Sequence, residues 1–156
     1  TMKVTVITIS DRAARGIYED LSGPAIEKIL QDNLENIAVA RIVVPDEKDE
    51  ILKALRAAAS SDFILTTGGT GLSARDITPE ICREYCDREL PGIAEALRSE
   101  SYKETPHALL SRGYAGMKDK TVIVNFPGSV KAVTLCTKIL IPVMGHAIKM
   151  INNEGH

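Results

Sequence analysis

The sequence predicts an α/β protein, a mostly parallel sheet covered by helices on both faces. Two observations predict it. Segments rich in β-branched residues alternate along the chain with segments of helical periodicity. The first of these segments, "VTVITIS" (4–10), also reads as nearly continuous in apolar character, as expected of a strand buried on both faces. Right-handed crossovers would join them.

The elements follow in order. "VTVITIS" (4–10) is the first strand. "SGPAIEKILQDNL" (22–34) puts Ile26, Ile29, Leu30 and Leu34 on one helical stripe, with Ser22 as the expected cap and Pro24 in the first turn. "IAVARIVV" (37–44) is a second strand, ended by Pro45 and Asp46. Ile51, Leu52, Leu55, Ala58 and Ala59 predict another amphipathic helix, and "DFILTT" (62–67) a third strand. "TPEICREYCDREL" (78–90) reads as a helix capped by Thr78 with Pro79 in its first turn. A break at Pro91-Gly92 precedes the helical "IAEALRSESYKE". "KTVIVNF" (120–126) is a further strand. The helical run from about Val130 should be split in two by Pro142 and Gly145. The stretch 105–119 carries the weakest pattern; a short extra strand is expected near "SRGYAGM".

The 156 residues suit a single domain spanning 1–156, and 44% hydrophobic with 26% charged residues is an ordinary soluble balance. A net charge of −2 gives no global basic field for nucleic acid or acidic membranes. An anionic ligand would therefore need local cations and backbone N–H groups. Three cysteines without disulfide-like spacing fit a reducing compartment, and the cytoplasm is the expected location. Cys82 and Cys86 share a helical face, but no zinc-site spacing completes them, so core packing is expected. No apolar run reads as long enough to span a bilayer. "KVTVITIS" is too short for a signal sequence and no cleavage site follows it. Thr1 ahead of Met2 reads as an addition before the natural start.

In sheets of this kind, ligands sit beyond the carboxyl ends of the strands. Four junctions should therefore be read together: "ISDRAARG" (9–16), "VPDEKDE" (44–50), "TTGGTGLSARDITPE" (66–80) and "NFPGSVKAV" (125–133). Gly68, Gly69 and Gly71 favour a ligand loop with exposed N–H groups over a mere tight turn. The spacing is neither that of a Walker A loop nor of a dinucleotide fingerprint. Asp46 and Asp76 would lie on the same sheet edge, and two carboxylates beside a phosphate loop are a way to hold Mg²⁺. Asp46 is also well placed as a helix N-cap, and caps are far commoner than metal ligands. Asp11 reads as either a turn residue or a site residue. "NFPGSV" offers a helix N-terminus with a capping Ser129, suited to phosphate or simply to capping.

Taken together, the four junctions resemble those of the MogA/MoaB family of molybdenum cofactor biosynthesis proteins, also found as the G domain of gephyrin-like fusions. "LPGIAEALR", "ALLSRGYAG" and "VNFPGSVKAV" extend the resemblance over nearly the whole chain. The resemblance implies a three-layer α/β/α sandwich assembled as a trimer, or as a hexamer. It implies Mg²⁺- and ATP-dependent adenylylation of molybdopterin with release of pyrophosphate, ahead of a molybdate-inserting protein in the same pathway. Carried over by position, Asp46 and Asp76 match the family's catalytic, Mg²⁺-linked acids. Gly68, Gly69, Thr70, Gly71, Pro127 and Gly128 match its nucleotide pocket. Ser10, Asp11, Arg12 and Ser111 match the molybdopterin side. Arg12, Arg75, Arg112 or Lys131 would offset phosphate charge. The alternative is a non-catalytic, MoaB-like pterin-binding or scaffold protein.

Overall fold

The computed structural model describes residues 1–154. Six strands form one sheet: β1 (Met2–Ile9), β2 (Ile37–Val44), β3 (Phe63–Thr67), β4 (Arg88–Glu89), β5 (Ala115–Lys118) and β6 (Thr121–Phe126). Their spatial order is β2-β1-β3-β6-β5-β4. The pairs β2/β1, β1/β3 and β3/β6 are parallel, so their carboxyl ends share one edge. A short antiparallel extension, β5 and β4, follows β6. The helices are α1 (Asp11–Ala14), α2 (Ser22–Asn33), α3 (Lys48–Ala57), α4 (Thr78–Tyr85), α5 (Pro91–Tyr102) and α6 (Val130–Ile151), with a 3₁₀ turn at Pro106–Leu110.

Alternation along the strands sends side chains into two cores. Val4, Val6, Phe63, Leu65, Val122 and Val124 pack under α2, α5 and α6. Ile7, Ile9, Ile64 and Ile123 pack under α3 and α4. Each fully buried aliphatic side chain contributes about 1.5–3 kcal/mol against exposure. The sheet is thus covered on both faces, as the pattern predicts. The extra strand expected near "SRGYAGM" is β5.

Several local expectations are corrected. The helix expected to run to residue 90 stops at Tyr85, and Arg88–Glu89 then pairs with β5. The C-terminal run is one helix through Pro142. Pro142 faces solvent, and buried Leu140 and Met144 hold the helix to the sheet on either side of it. Against the sequence reading, α6 is long and apolar enough to cross a bilayer, with 22 residues and hydropathy 1.3. In this fold its Val133, Cys136, Leu140 and Met144 are core residues. Ser129 caps α6 as expected, its side chain accepting from the Ala132 N–H, but the other three expected caps are displaced. Ser22 and Thr78 stand inside their helices, which begin after Leu21 and Ile77 without side-chain capping bonds. Glu47, not Asp46, occupies the cap position of α3. All three side chains are used elsewhere.

Candidate active site

The junctions after β1 and β2 are stapled to each other. The Asp11 N–H donates to Asp46 Oδ2 at 3.0 Å, and the Asp46 N–H donates to Asp11 Oδ1 at 2.9 Å. Arg75 completes the arrangement from the loop after β3. Its Nε and Nη2 donate to Asp11 at 2.9 Å each, and Nη2 also donates to Glu47 at 2.8 Å. The two acids consequently diverge. The Arg75 hydrogen bonds hold the Asp11 carboxyl below its ordinary range. Burial pushes Asp46 upward, and the negative charges of Asp11 and Asp76 add to it. Asp46 is 9% exposed, and its Oδ1 is buried without a hydrogen-bond partner among the described residues.

In the loop after β3, four successive carbonyls are held by Thr78 and Arg112. Gly68 and Gly69 have φ values of 102° and 70°, open at low cost only to glycine. Thr78 Oγ1 donates to the Gly68 carbonyl at 3.1 Å, and the Thr78 N–H to the Gly69 carbonyl at 3.2 Å. The Arg112 N–H takes the Thr70 carbonyl at 2.9 Å, and its Nε the Gly71 carbonyl at 2.8 Å. In a trans peptide the carbonyl and the following N–H point in opposite directions. With four consecutive oxygens held, the N–H groups of Gly69, Thr70, Gly71 and Leu72 have no protein acceptor among the described residues. The junction after β6 repeats the device. Thr67 Oγ1 donates to Pro127 O at 2.7 Å, and Ser22 Oγ to Gly128 O at 2.8 Å. Such a set of open amides has the donors that an anion needs.

Two cavities flank this ridge of main chain. The smaller, about 230 Å³, is lined by Ser10, Asp20, Asp46, Gly69, Asp76 and Gly128, among others. The larger, about 490 Å³, has Thr70, Gly71, Ser111, Pro127 and Lys131 on its polar side and Ala94, Leu97 and Leu135 on its apolar side. The two junctions pack closely here: a Cβ on Gly128 would stand 3.6 Å from the Gly68 Cα. Both carboxylates touch the ridge. A Cβ on Gly69 would lie 3.1 Å from Asp46 Oδ1, and one on Gly71 would lie 2.9 Å from Asp76 Oδ2.

The structure thus gathers Asp46, Asp76, Ser10, Gly68, Gly69 and Gly128 around one cavity, and Thr70, Gly71, Pro127 and Ser111 around its neighbour. Asp11 and Arg12 line neither. Asp11 is committed to Asp46 and Arg75, and Arg12 lies over the Tyr18 ring at 5.9 Å. Sequence reasoning misses Asp20, which lines the smaller cavity, accepts from Thr8 Oγ1 at 2.8 Å and takes the Gly23 N–H at 3.1 Å. It also misses the hydroxyls of Ser22, Thr67 and Thr78, because a hydroxyl at a helix start reads first as a cap. Arg75 and Arg112, read as charges for phosphate, are engaged by protein oxygens instead. Lys131 lines the larger cavity as an exposed cation.

No group of three or more metal-ligating side chains occurs among the described residues. A carboxylate pair still fits Mg²⁺, which keeps several waters and shares its remaining positions between one or two carboxylates and substrate phosphates. The unpartnered Asp46 Oδ1, beside Asp76 and the open amides, is the observation that favours it.

A family profile described as "Probable molybdopterin binding domain" matches residues 5–146. The molybdopterin adenylyltransferase of Helicobacter pylori J99 is 40% identical over 155 residues, covering 97% of this chain and 88% of that protein. That of Escherichia coli K12 is 36% identical over 137 residues, covering 85% and 70%. The crystal structure of the molybdopterin biosynthesis enzyme MoaB from Thermus thermophilus superposes with a TM-score of 0.88 at 41% identity, covering 98% of both chains. With the profile spanning most of the chain, and relatives that match in sequence and in fold, the chain belongs to the molybdopterin-binding family of molybdenum cofactor biosynthesis proteins that includes MogA and MoaB.

Proposed function

We propose that this chain adenylylates molybdopterin, using Mg-ATP and releasing pyrophosphate. A terminal phosphate oxygen of molybdopterin forms a bond to the α-phosphorus of ATP. The bond from that phosphorus to the β-phosphate breaks, and pyrophosphate leaves. The observation that carries the reading is the ridge itself: N–H groups without a protein acceptor among the described residues, with Asp46 and Asp76 beside them, between two cavities. A reaction joining two phosphorylated substrates needs them side by side with their charge offset, and positioning supplies most of the rate.

The chain's residues divide the work. Gly68, Gly69, Thr70 and Gly71, with Pro127 and Gly128, seat the nucleotide phosphates on backbone amides. Asp46 and Asp76 hold Mg²⁺, which when bound neutralises phosphate charge and screens the two acids from each other. Ser10, Arg12 and Ser111 are assigned to the molybdopterin side. Asp11, carried over to the same side, serves through Asp46, since its oxygens are engaged by the Asp46 N–H and Arg75. The side chains supply no nucleophile, because the acceptor brings its own ionised phosphate.

The chain is proposed to act as one domain over 1–156 and to form a trimer or hexamer. Solvent-facing Val143 and Met150 on α6 are apolar surface that assembly would cover. A cytoplasmic setting suits its three free cysteines, and hand-over to a molybdate-inserting protein follows from the product. Mixing the protein with molybdopterin and Mg-ATP should release pyrophosphate at a rate that either substrate's omission abolishes. ATP turnover without molybdopterin would point to another acceptor, and binding without turnover to a scaffold role. Both acids line one cavity within one chain. Mixed assemblies of Asp46→Asn and Asp76→Asn chains should therefore recover almost no activity; substantial recovery would place the two acids across a subunit boundary.

A further inference from the structure

We infer that Arg112 is a positioning residue for this reaction: one guanidinium holds the glycine loop and the Asp76 main chain in fixed relation. The inference rests on the function proposed above. Arg112 follows the 3₁₀ turn and precedes β5, far in sequence from the loop it serves. Its Nε donates to Gly71 O at 2.8 Å and its Nη2 to Asp76 O at 2.6 Å. Its Nη1 pairs with Glu80 on α4. Its own N–H holds Thr70 O at 2.9 Å.

The Arg75 side chain ties the loop to Asp11 and Glu47, and Arg112 braces its main chain. Residues 72–75 are exposed and lie outside helices and strands. Their internal bonds are short-range: Ser73 N–H to Asp76 Oδ2, Asp76 N–H to Ser73 O, and Arg75 N–H to Ser73 Oγ. Thr78 fixes where the loop begins, and Arg112 spans from its glycines to Asp76. A planar fork with donors in fixed directions can do this; the single ammonium of a lysine cannot.

The charge matters as well as the reach. Gly71 O and the Leu72 N–H belong to one peptide unit. A cation on the oxygen polarises that unit and makes its open N–H a stronger donor. Arg112 therefore acts on phosphate through the backbone. Three of its N–H donors already serve Gly71 O, Asp76 O and Glu80, and these bonds fix where the guanidinium sits.

The test compares Arg112→Ala, Arg112→Lys and Glu80→Gln with the wild type in the pyrophosphate-release assay, with Mg-ATP varied. For Arg112→Ala, kcat should fall about a hundredfold and KM for Mg-ATP rise by about tenfold or less, as expected when transition-state alignment is lost more than ground-state binding. Arg112→Lys should recover less than about a tenth of the lost rate. Added guanidinium ion at non-denaturing concentration should raise Arg112→Ala activity several-fold. Glu80→Gln, which leaves the arginine in place, should lose about threefold to tenfold and covers the case in which Arg112→Ala fails to fold. A merely structural arginine would lower only the folded fraction, leave KM unchanged, recover on cooling and ignore guanidinium; that pattern, or a full rescue by lysine, overturns the inference. Calorimetry with Mg²⁺ and inorganic pyrophosphate separates this outcome from failure of the proposed reaction. If the wild type binds pyrophosphate but adenylylates nothing, the reaction is wrong. In that case a tenfold weaker affinity in Arg112→Ala still supports the brace, and an unchanged affinity overturns it.

Discussion

Asp46→Asn is expected to melt higher than the wild type and to lose adenylyl transfer. Asp46 is buried, its Oδ1 has no hydrogen-bond partner among the described residues, and its folded carboxyl is pushed above the ordinary 3.8. A folded-state value raised in this way means that the ionised form is disfavoured by folding. The group's favourable contribution is full below the unfolded value and is lost as pH rises through the folded one. At pH 7 the charge is therefore a cost, and asparagine removes it while keeping an oxygen for the Asp11 N–H. A gain of about 1 kcal/mol corresponds to roughly 2–4 °C in a chain of this size. The gain should be largest at neutral pH and shrink as pH falls through the raised value. Activity should drop at least about a hundredfold, about 3 kcal/mol of transition-state stabilisation. Mg²⁺ should raise the melting temperature of the wild type more than that of the variant. Thermal melts across pH, read beside turnover, check all of this. A variant that melts lower at pH 7 and still turns over would make Asp46 a junction staple and not a metal seat.

The second large effect separates two glycines of the same loop. At Gly68 the backbone has a φ of 102°, and a Cβ would run into the Ile9 carbonyl, which belongs to the sheet and cannot yield. Gly68→Ala should lose several kcal/mol, about 1–2 from the backbone angle and the rest from displaced main chain, and melt at least about 10 °C lower. Gly71 has no positive φ, and its Cβ would meet only Asp76 Oδ2 at 2.9 Å, the end of a side chain. Gly71→Ala should cost about 1 kcal/mol or less in stability but reduce turnover by roughly tenfold to a hundredfold, because the carboxylate must move. Gly69 is less informative, since a Cβ there would strike the Thr78 hydroxyl and disturb fold and loop together. Circular dichroism melts and initial rates on both alanine variants decide it. The opposite pattern, with Gly71 structural and Gly68 silent in stability, would refute the assigned geometry.

The strand pattern made the sheet legible, because burial on both faces leaves nearly continuous apolar runs such as residues 4–9, broken only by Thr5 and Thr8, and 63–65. The junction residues were legible because glycine and carboxylate are conspicuous at strand ends. What stayed hidden has a common physical cause. Thr78 and Ser22 were read against their nearest neighbours, where a hydroxyl means a cap, yet their partners are Gly68 O and Gly128 O. The second of these lies 106 positions away in the chain. Local patterns carry no trace of such long-range bonds. The same holds for Arg112, whose sequence context is an ordinary loop. Pro142 misled in the other direction: propensity argued for a break, and packing of its flanks against the sheet overrode it.

The held carbonyls have a consequence for how the protein assembles. The clamps on the ridge come from Ser22, Thr67, Thr78 and Arg112, four segments that meet only when the first, third and sixth strands are aligned and α2 and α4 are docked. No local segment can form even half of the ridge in advance. We expect the site to form late in folding and to be lost early in unfolding, since its clamps are mostly long-range contacts. Turnover should disappear at or slightly before the denaturant midpoint of the fold, and an isolated half of the chain should carry none of it.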